Sequence, residues 1–116
     1  MRKQYYFRQS ERGLLAWDVG RLVELSRDLP RIEMSLSDIE RDSDWSGDVE
    51  GHERLIDEAD LAFPIILAAD GRVMDGRHRI AKAIREGRTT IDGVQFENDP
   101  EPDYVGRDPD ELPYDS

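Results

Sequence analysis

Cysteine is absent from this sequence, which excludes disulfide bonds, thiolate zinc sites and a cysteine nucleophile. Histidine is scarce. His52 and His78 fall in different elements with no partner at i, i+4, so no intrinsic metal ligands are expected, and His52 reads as a surface helix residue. Long apolar runs are missing as well, and the opening MRKQYYFRQSERG has two early bases with no apolar stretch behind them. Neither a membrane span nor an export signal is therefore expected, and the expected compartment is the cytoplasm. What the chain does have is charge. With 37% charged and 37% hydrophobic residues in a length of 116, it supports one modest core in a single small domain.

The formal net charge of −11 disfavours duplex DNA as a partner, because phosphate neutralisation dominates nucleic-acid affinity. The charge is also unevenly placed. Arg72 to Arg88 holds six bases against two acids, a local +4. Glu97 to Ser116 holds eight acids against Arg107 alone and is interrupted by Pro100, Pro102, Pro109 and Pro113. This contrast divides the chain into a folded domain over 1–96 and an acidic, proline-containing C-terminal tail over 97–116.

Within 1–96 the apolar pattern alternates between strand and helix periods, with no internal repeat. Tyr5, Tyr6 and Phe7 suit a first strand. Asp18 can cap a helix whose apolar side is Val19, Leu22, Val23, Leu25 and Leu29, stopped by Pro30. Ile32, Met34 and Leu36 alternate as a half-buried strand does, before SLSDI and the turn-rich RDSDWSGDVEG. HERLIDEA offers a short helix, FPIIL a buried strand, AADGR a turn and RVM a returning strand. After Gly76 comes the clearest helix, with Ile80, Ala81 and Ile84 expected inside and Lys82, Arg85 and Glu86 outside, ended by Gly87. Thr89 to Phe96 closes the series as a strand in which Asp92-Gly93 suggests a bulge. The fold class expected is α+β, a small mixed β-sheet with packed helices.

The helix after Gly76 begins against electrostatic expectation. A helix N-terminus is already positive and favours acids, yet Arg77, His78 and Arg79 occupy its first turn. An external anion would resolve this. Asp75 is a plausible N-cap, Gly76 leaves room for a ligand to approach the backbone, and Arg77 and Arg79 can each grip two phosphate oxygens while His78 donates one proton. Pairing of these bases with the chain's own carboxylates is the competing structural explanation. Trp17 and Trp45 suit either base stacking or packing and are left unassigned.

The stretch ADLAFPIILAADGRVMDGRHRIAKAIREGRTTIDGVQF resembles the ParB/sulfiredoxin-like superfamily over about residues 50–96, in its strand, turn, strand, Gly-x-x-Arg, helix, strand order. IEMSLSDI resembles the family's lead-in more loosely. The resemblance implies that Gly76, Arg77, His78 and Arg79 hold the phosphates of a nucleoside triphosphate, ATP or CTP with Mg2+. In sulfiredoxins the matching segment carries the reactive cysteine where this chain has Arg77, so sulfinic acid reduction is not implied. ParB proteins continue into a helix-turn-helix domain, whereas this sequence ends in the acidic segment, and a Glu-Asn-x-x-Arg-type segment is not found.

A nucleotide-phosphate-binding domain with ATPase or phosphotransferase capacity is the preferred functional reading. A proton acceptor for such chemistry is sought among Asp38, Glu40, Asp42 and Asp44, which follow the strand expected beside the motif. The alternatives are a non-catalytic interaction module that meets a protein partner through its acidic tail, or a metal-dependent nuclease.

Overall fold

The computed structural model describes residues 4–40 and 53–113. Its first element is an antiparallel hairpin, Tyr5–Ser10 (β1) paired with Gly13–Asp18 (β2), with Glu11 and Arg12 at the turn and Gly13 at a φ of 103°. The second of these strands was not anticipated, because Leu14, Leu15 and Ala16 form an unbroken apolar run that lacks the period-two signature. Helix α1 (Val19–Leu25) follows, capped as expected by Asp18, whose carboxylate accepts from the Gly20 amide at 2.9 Å. It stops short of Pro30. Ser26 ends it, with its hydroxyl donating to the Val23 carbonyl at 3.0 Å, a competing bond of the kind that unseats helix interiors. Val23 and Leu25 are consequently exposed, and only Leu22 is fully buried.

Strand β3 (Ile32–Ser35) leads directly into α2 (Leu36–Glu40), and after the undescribed residues come α3 (Glu53–Glu58), β4 (Ile65–Leu67), β5 (Val73–Asp75), α4 (Arg77–Arg85) and β6 (Thr90–Gln95). These strands make a four-stranded mixed sheet in the order β3-β6-β4-β5, with β4 and β6 parallel and the other pairs antiparallel. The result is an α+β fold with two sheets rather than the single one expected, because β2 pairs with β1 on one side and β7 (Tyr104–Val105) on the other instead of joining the larger sheet.

Strand alternation separates two cores. Ile65, Leu67, Val73 and Ile91 pack with Leu36, Ile39, Ile80 and Ala83 of α2 and α4. On the opposite face Ile66, Ala68, Met74, Val94 and Phe96 pack with Leu15, Trp17 and Leu22. The IIL part of the FPIIL run is continuous because β4 is covered on both faces, whereas Phe63, expected in the same buried strand, precedes it and is exposed; burying each isoleucine there contributes about 1.5–3 kcal/mol.

Helix α4 ends in a Schellman arrangement. The Arg88 amide bonds the Ala83 carbonyl at 3.0 Å and the Gly87 amide bonds the Ile84 carbonyl at 3.0 Å, with Gly87 at φ 78°. Its inner face is Ile80 and Ala83, so Ile84, expected inside, lies at the flank and is 41% exposed. Nor does β6 bulge at Asp92-Gly93. The strand is continuous, and the register shift falls at Ile66/Leu67 instead. Gly93 is there for space: a Cβ on it would lie 2.7 Å from Met34 Sδ and 2.9 Å from Ile65 Cγ1.

The acidic segment is not detached from the domain. Over 97–113 it runs along β2, with the Asp103 and Gly106 amides donating to the Ala16 and Leu14 carbonyls, each at 2.8 Å. Trp17 Nε1 donates to the Pro100 carbonyl at 2.8 Å, Asp103 accepts from the Asp18 amide at 2.8 Å, and Leu112 is buried. Composition reads this stretch as a tail because acids and prolines mark little regular structure, and β7 is indeed only two residues, but its backbone and Leu112 still pack on the domain.

Candidate functional site

Gly76, not Asp75, is the N-cap of α4. It has φ 108° and ψ 18° and provides no side-chain cap. Its lack of a side chain serves packing, because a Cβ would come within 2.6 Å of Ile65 Cγ2, on the core side. Asp75 remains in β5, where the left-handed turn at Gly76 sets its carboxylate one helical turn from Arg79. There Arg79 Nη2 donates to Asp75 Oδ2 at 2.8 Å, and Nη1 donates to the Pro64 carbonyl at 3.0 Å. Both side chains are mostly buried, at 16% and 19% exposure. Arg79 is thus engaged inside the molecule, as the competing structural explanation requires.

Arg77 is different. It is exposed, and no ion pair to it is found among the described residues. His78 is half-buried on the same turn. The first hydrogen bond within α4 runs from the Ile80 amide to the Gly76 carbonyl at 3.0 Å, so the amides of the preceding turn lie beyond the intrahelical ladder and carry the positive end of the dipole.

This turn opens on a solvent-accessible cleft of about 920 Å³, large enough for a small-molecule ligand of nucleotide size. One wall is β1, through Tyr5, Tyr6 and Phe7; the floor comes from Met74 and Asp75 of β5; the other wall comes from Glu58 at the end of α3 and from Ala59, Asp60 and Phe63 after it. Each of the five residues expected at the site, Asp75, Gly76, Arg77, His78 and Arg79, lines it. Phe63 is 61% exposed, an aromatic surface left in water at the rim of a concavity.

The acids at the cleft are not those expected. Asp38 and Glu40 belong to α2 after β3, and β3 pairs with β6 at the opposite edge of the sheet from β5. Asp42 and Asp44, like Trp45 and His52, lie outside the described residues. Glu58 and Asp60 stand at the cleft instead, placed by the packing of α3 beside α4. Glu58 pairs with Arg54 at 3.1 Å and Asp60 accepts from the Ala62 amide at 2.9 Å, each with a second oxygen left over for other bonds. Their only sequence signal is proximity to the FPIIL strand. No group of three or more His, Asp or Glu side chains that could hold a metal is found among the described residues, and no helix among them is long and apolar enough to cross a membrane.

Fold and site together define a small α+β domain with an open cleft at a helix N-terminus, lined by aromatic rings and carboxylates. Compared with known protein-family models, curated proteins and solved structures, the chain matches none. Chemically, the cleft offers one exposed guanidinium with backbone amides for an anion, rings for a flat apolar group and, besides Asp75 held by Arg79, the carboxylates of Glu58 and Asp60, able to accept protons or donors.

Proposed function

We propose that the chain binds a nucleotide in this cleft, its phosphate held by the first turn of α4 and its base against the aromatic wall. The observation that carries the reading is the conjunction of an open hollow beside Gly76 with Arg77 at its edge, an exposed cation for which no ion pair is found among the described residues. The roles within Asp75 to Arg79 then divide. Arg77 and the backbone amides contact phosphate oxygens, whereas Arg79 and Asp75 brace the turn through their mutual bond. Tyr5, Phe7 and Phe63 supply ring faces for stacking.

The resemblance of the Gly-Arg-His-Arg stretch to ParB/sulfiredoxin-like proteins supports the same assignment and suggests ATP or CTP with Mg2+ as the ligand class. Mg2+ is commonly held through one or two carboxylates plus substrate phosphates, and Glu58 and Asp60 are the acids at the cleft that fit that part. A phosphotransferase or ATPase would use the same two as candidate proton acceptors. Lack of cysteine accords with a cytoplasmic setting.

The test is a titration of the full chain with inorganic phosphate, AMP, ATP and CTP, with and without Mg2+, followed by amide shifts at residues 76–80. Saturable shifts there are expected, and Arg77→Ala should weaken binding by about ten-fold or more, the value of one charge-assisted contact. Flat titrations with all four ligands would end the proposal.

A further inference from the structure

Sequence periodicity places Lys82 on the outer, solvated side of α4, but the folded chain gives it another task. Its Nζ donates to the Ala59 carbonyl at 2.8 Å and the Asp57 carbonyl at 3.0 Å, on a side chain that is only half exposed. These are carbonyls at the C-terminal end of α3, where acceptors lack intrahelical partners and the dipole favours a cation. Glu58, which lines the cleft, lies between them. Asp60 and Phe63 follow immediately.

We infer that Lys82 is a positioning residue for the cleft, fixing the wall that carries Glu58, Asp60 and Phe63 at a set distance from the first turn of α4. This rests on the ligand-binding reading above for its functional consequence, but not for its structural one. The wall has other attachments. Arg85 pairs with Asp57 at 2.6 Å, Arg31 donates to the Ala62 carbonyl, Ile56 is buried, and Leu61 packs against the α4 core. None of these bonds the backbone at Ala59, where the chain leaves α3 to form the wall. Arg85 reaches a side chain that is 63% exposed, an attachment weakened by solvent. Among the described residues, Lys82 holds two backbone carbonyls of this segment from a single atom, on the same helix whose first turn lines the cleft. The wall and the phosphate end are thereby referenced to one rigid element.

The experiment compares Lys82→Met, which keeps the apolar stem and removes the donors, with Lys82→Arg, which retains donors and charge. Amide exchange is read at Ala59, Leu61 and Phe63 with Val94 as an internal control, and affinity is read for AMP. Lys82→Met should speed exchange across the wall by about ten-fold relative to Val94, as expected for local loosening, and weaken AMP several-fold through lost preorganisation. Lys82→Arg should restore both at least in part. Should Lys82→Met fail to fold, Lys82→Gln, which keeps one donor arm, takes its place with the same readouts. Unchanged exchange at the wall in a folded variant overturns the inference. Faster exchange with AMP affinity unchanged also overturns it, because the wall would then be loosened without consequence for the site. If the unaltered chain binds no nucleotide, the functional reading fails by itself, and the exchange result still decides whether Lys82 holds the wall.

Discussion

Removal of Asp99 is the sharpest probe of how the acidic segment is joined to the rest of the molecule. Asp99 Oδ2 receives Arg8 Nη1 at 2.9 Å, and Oδ1 receives the Ala69 amide at 2.8 Å. One carboxylate thus connects β1 to the turn between β4 and β5. The Arg8 guanidinium also lies over the Trp17 and Tyr6 rings, 5.2 and 5.4 Å from their centroids. Asp99→Ala leaves this cation, at 16% exposure, with the Tyr6 hydroxyl but without its carboxylate partner, and removes the acceptor of the Ala69 amide. Hydrogen bonds to charged groups are worth about 1.5–3 kcal/mol each, and partial access of water reduces the sum to about 2–3 kcal/mol. For a chain of this length that lowers Tm by about 8–12 °C. Asp99→Asn, which keeps an acceptor for Ala69 but loses the charge, should cost about half as much.

The acid dependence of the same contact follows from its electrostatics. Burial pushes the Asp99 carboxyl up, but the Ala69 amide and then the hydrogen bond and charge of Arg8 outweigh it and hold the group below its ordinary value. For Arg8, burial pushes the guanidinium down while Tyr6 and Asp99 raise it further, so it stays protonated throughout. A carboxyl with a depressed folded pKa contributes stability that is full above its unfolded value and disappears as pH falls through the folded one. Thermal melts from neutral pH into that acid range should therefore show the wild-type chain losing stability faster than Asp99→Asn. Variants melting within about 2 °C of the unaltered chain, or parallel pH profiles, would refute the claim that Asp99 joins the two sheets.

Further outcomes follow from the same structure. Gly76→Ala combines a left-handed backbone with a Cβ 2.6 Å from Ile65 and should cost about 3 kcal/mol in urea denaturation. Leu112→Ala should cost about 2–4 kcal/mol, because the residue is buried at 4% exposure although it lies in the acidic segment; a cost near zero would restore the reading of that segment as a tail. Arg79→Ala should destabilise by about 1–3 kcal/mol by leaving the half-buried Asp75 carboxylate and the Pro64 carbonyl without their donor. Arg77→Ala should leave stability within about 0.5 kcal/mol, so that its effect on nucleotide affinity can be read without correction.

Local chemistry in the sequence determined a good deal. The helix after Gly76, its stop at Gly87, the buried strand Ile65–Leu67 within FPIIL and the α+β class are legible because they depend on apolar period and turn residues, properties that neighbours in the chain settle among themselves. The candidate site was legible only as a local anomaly, bases on a helix N-terminus, and the folded chain sets those residues on a cleft. Other features depended on contacts between residues far apart in the chain. Whether Arg79 faces a ligand or Asp75, which acids line the same cleft as Arg77, what Lys82 holds, and whether residues 97–113 leave the domain or close a second sheet were decided only in the folded chain. Charge and composition limit what a side chain is able to bond, but ion pairs and buried contacts act over a few ångströms, and only the tertiary structure sets which groups come that close.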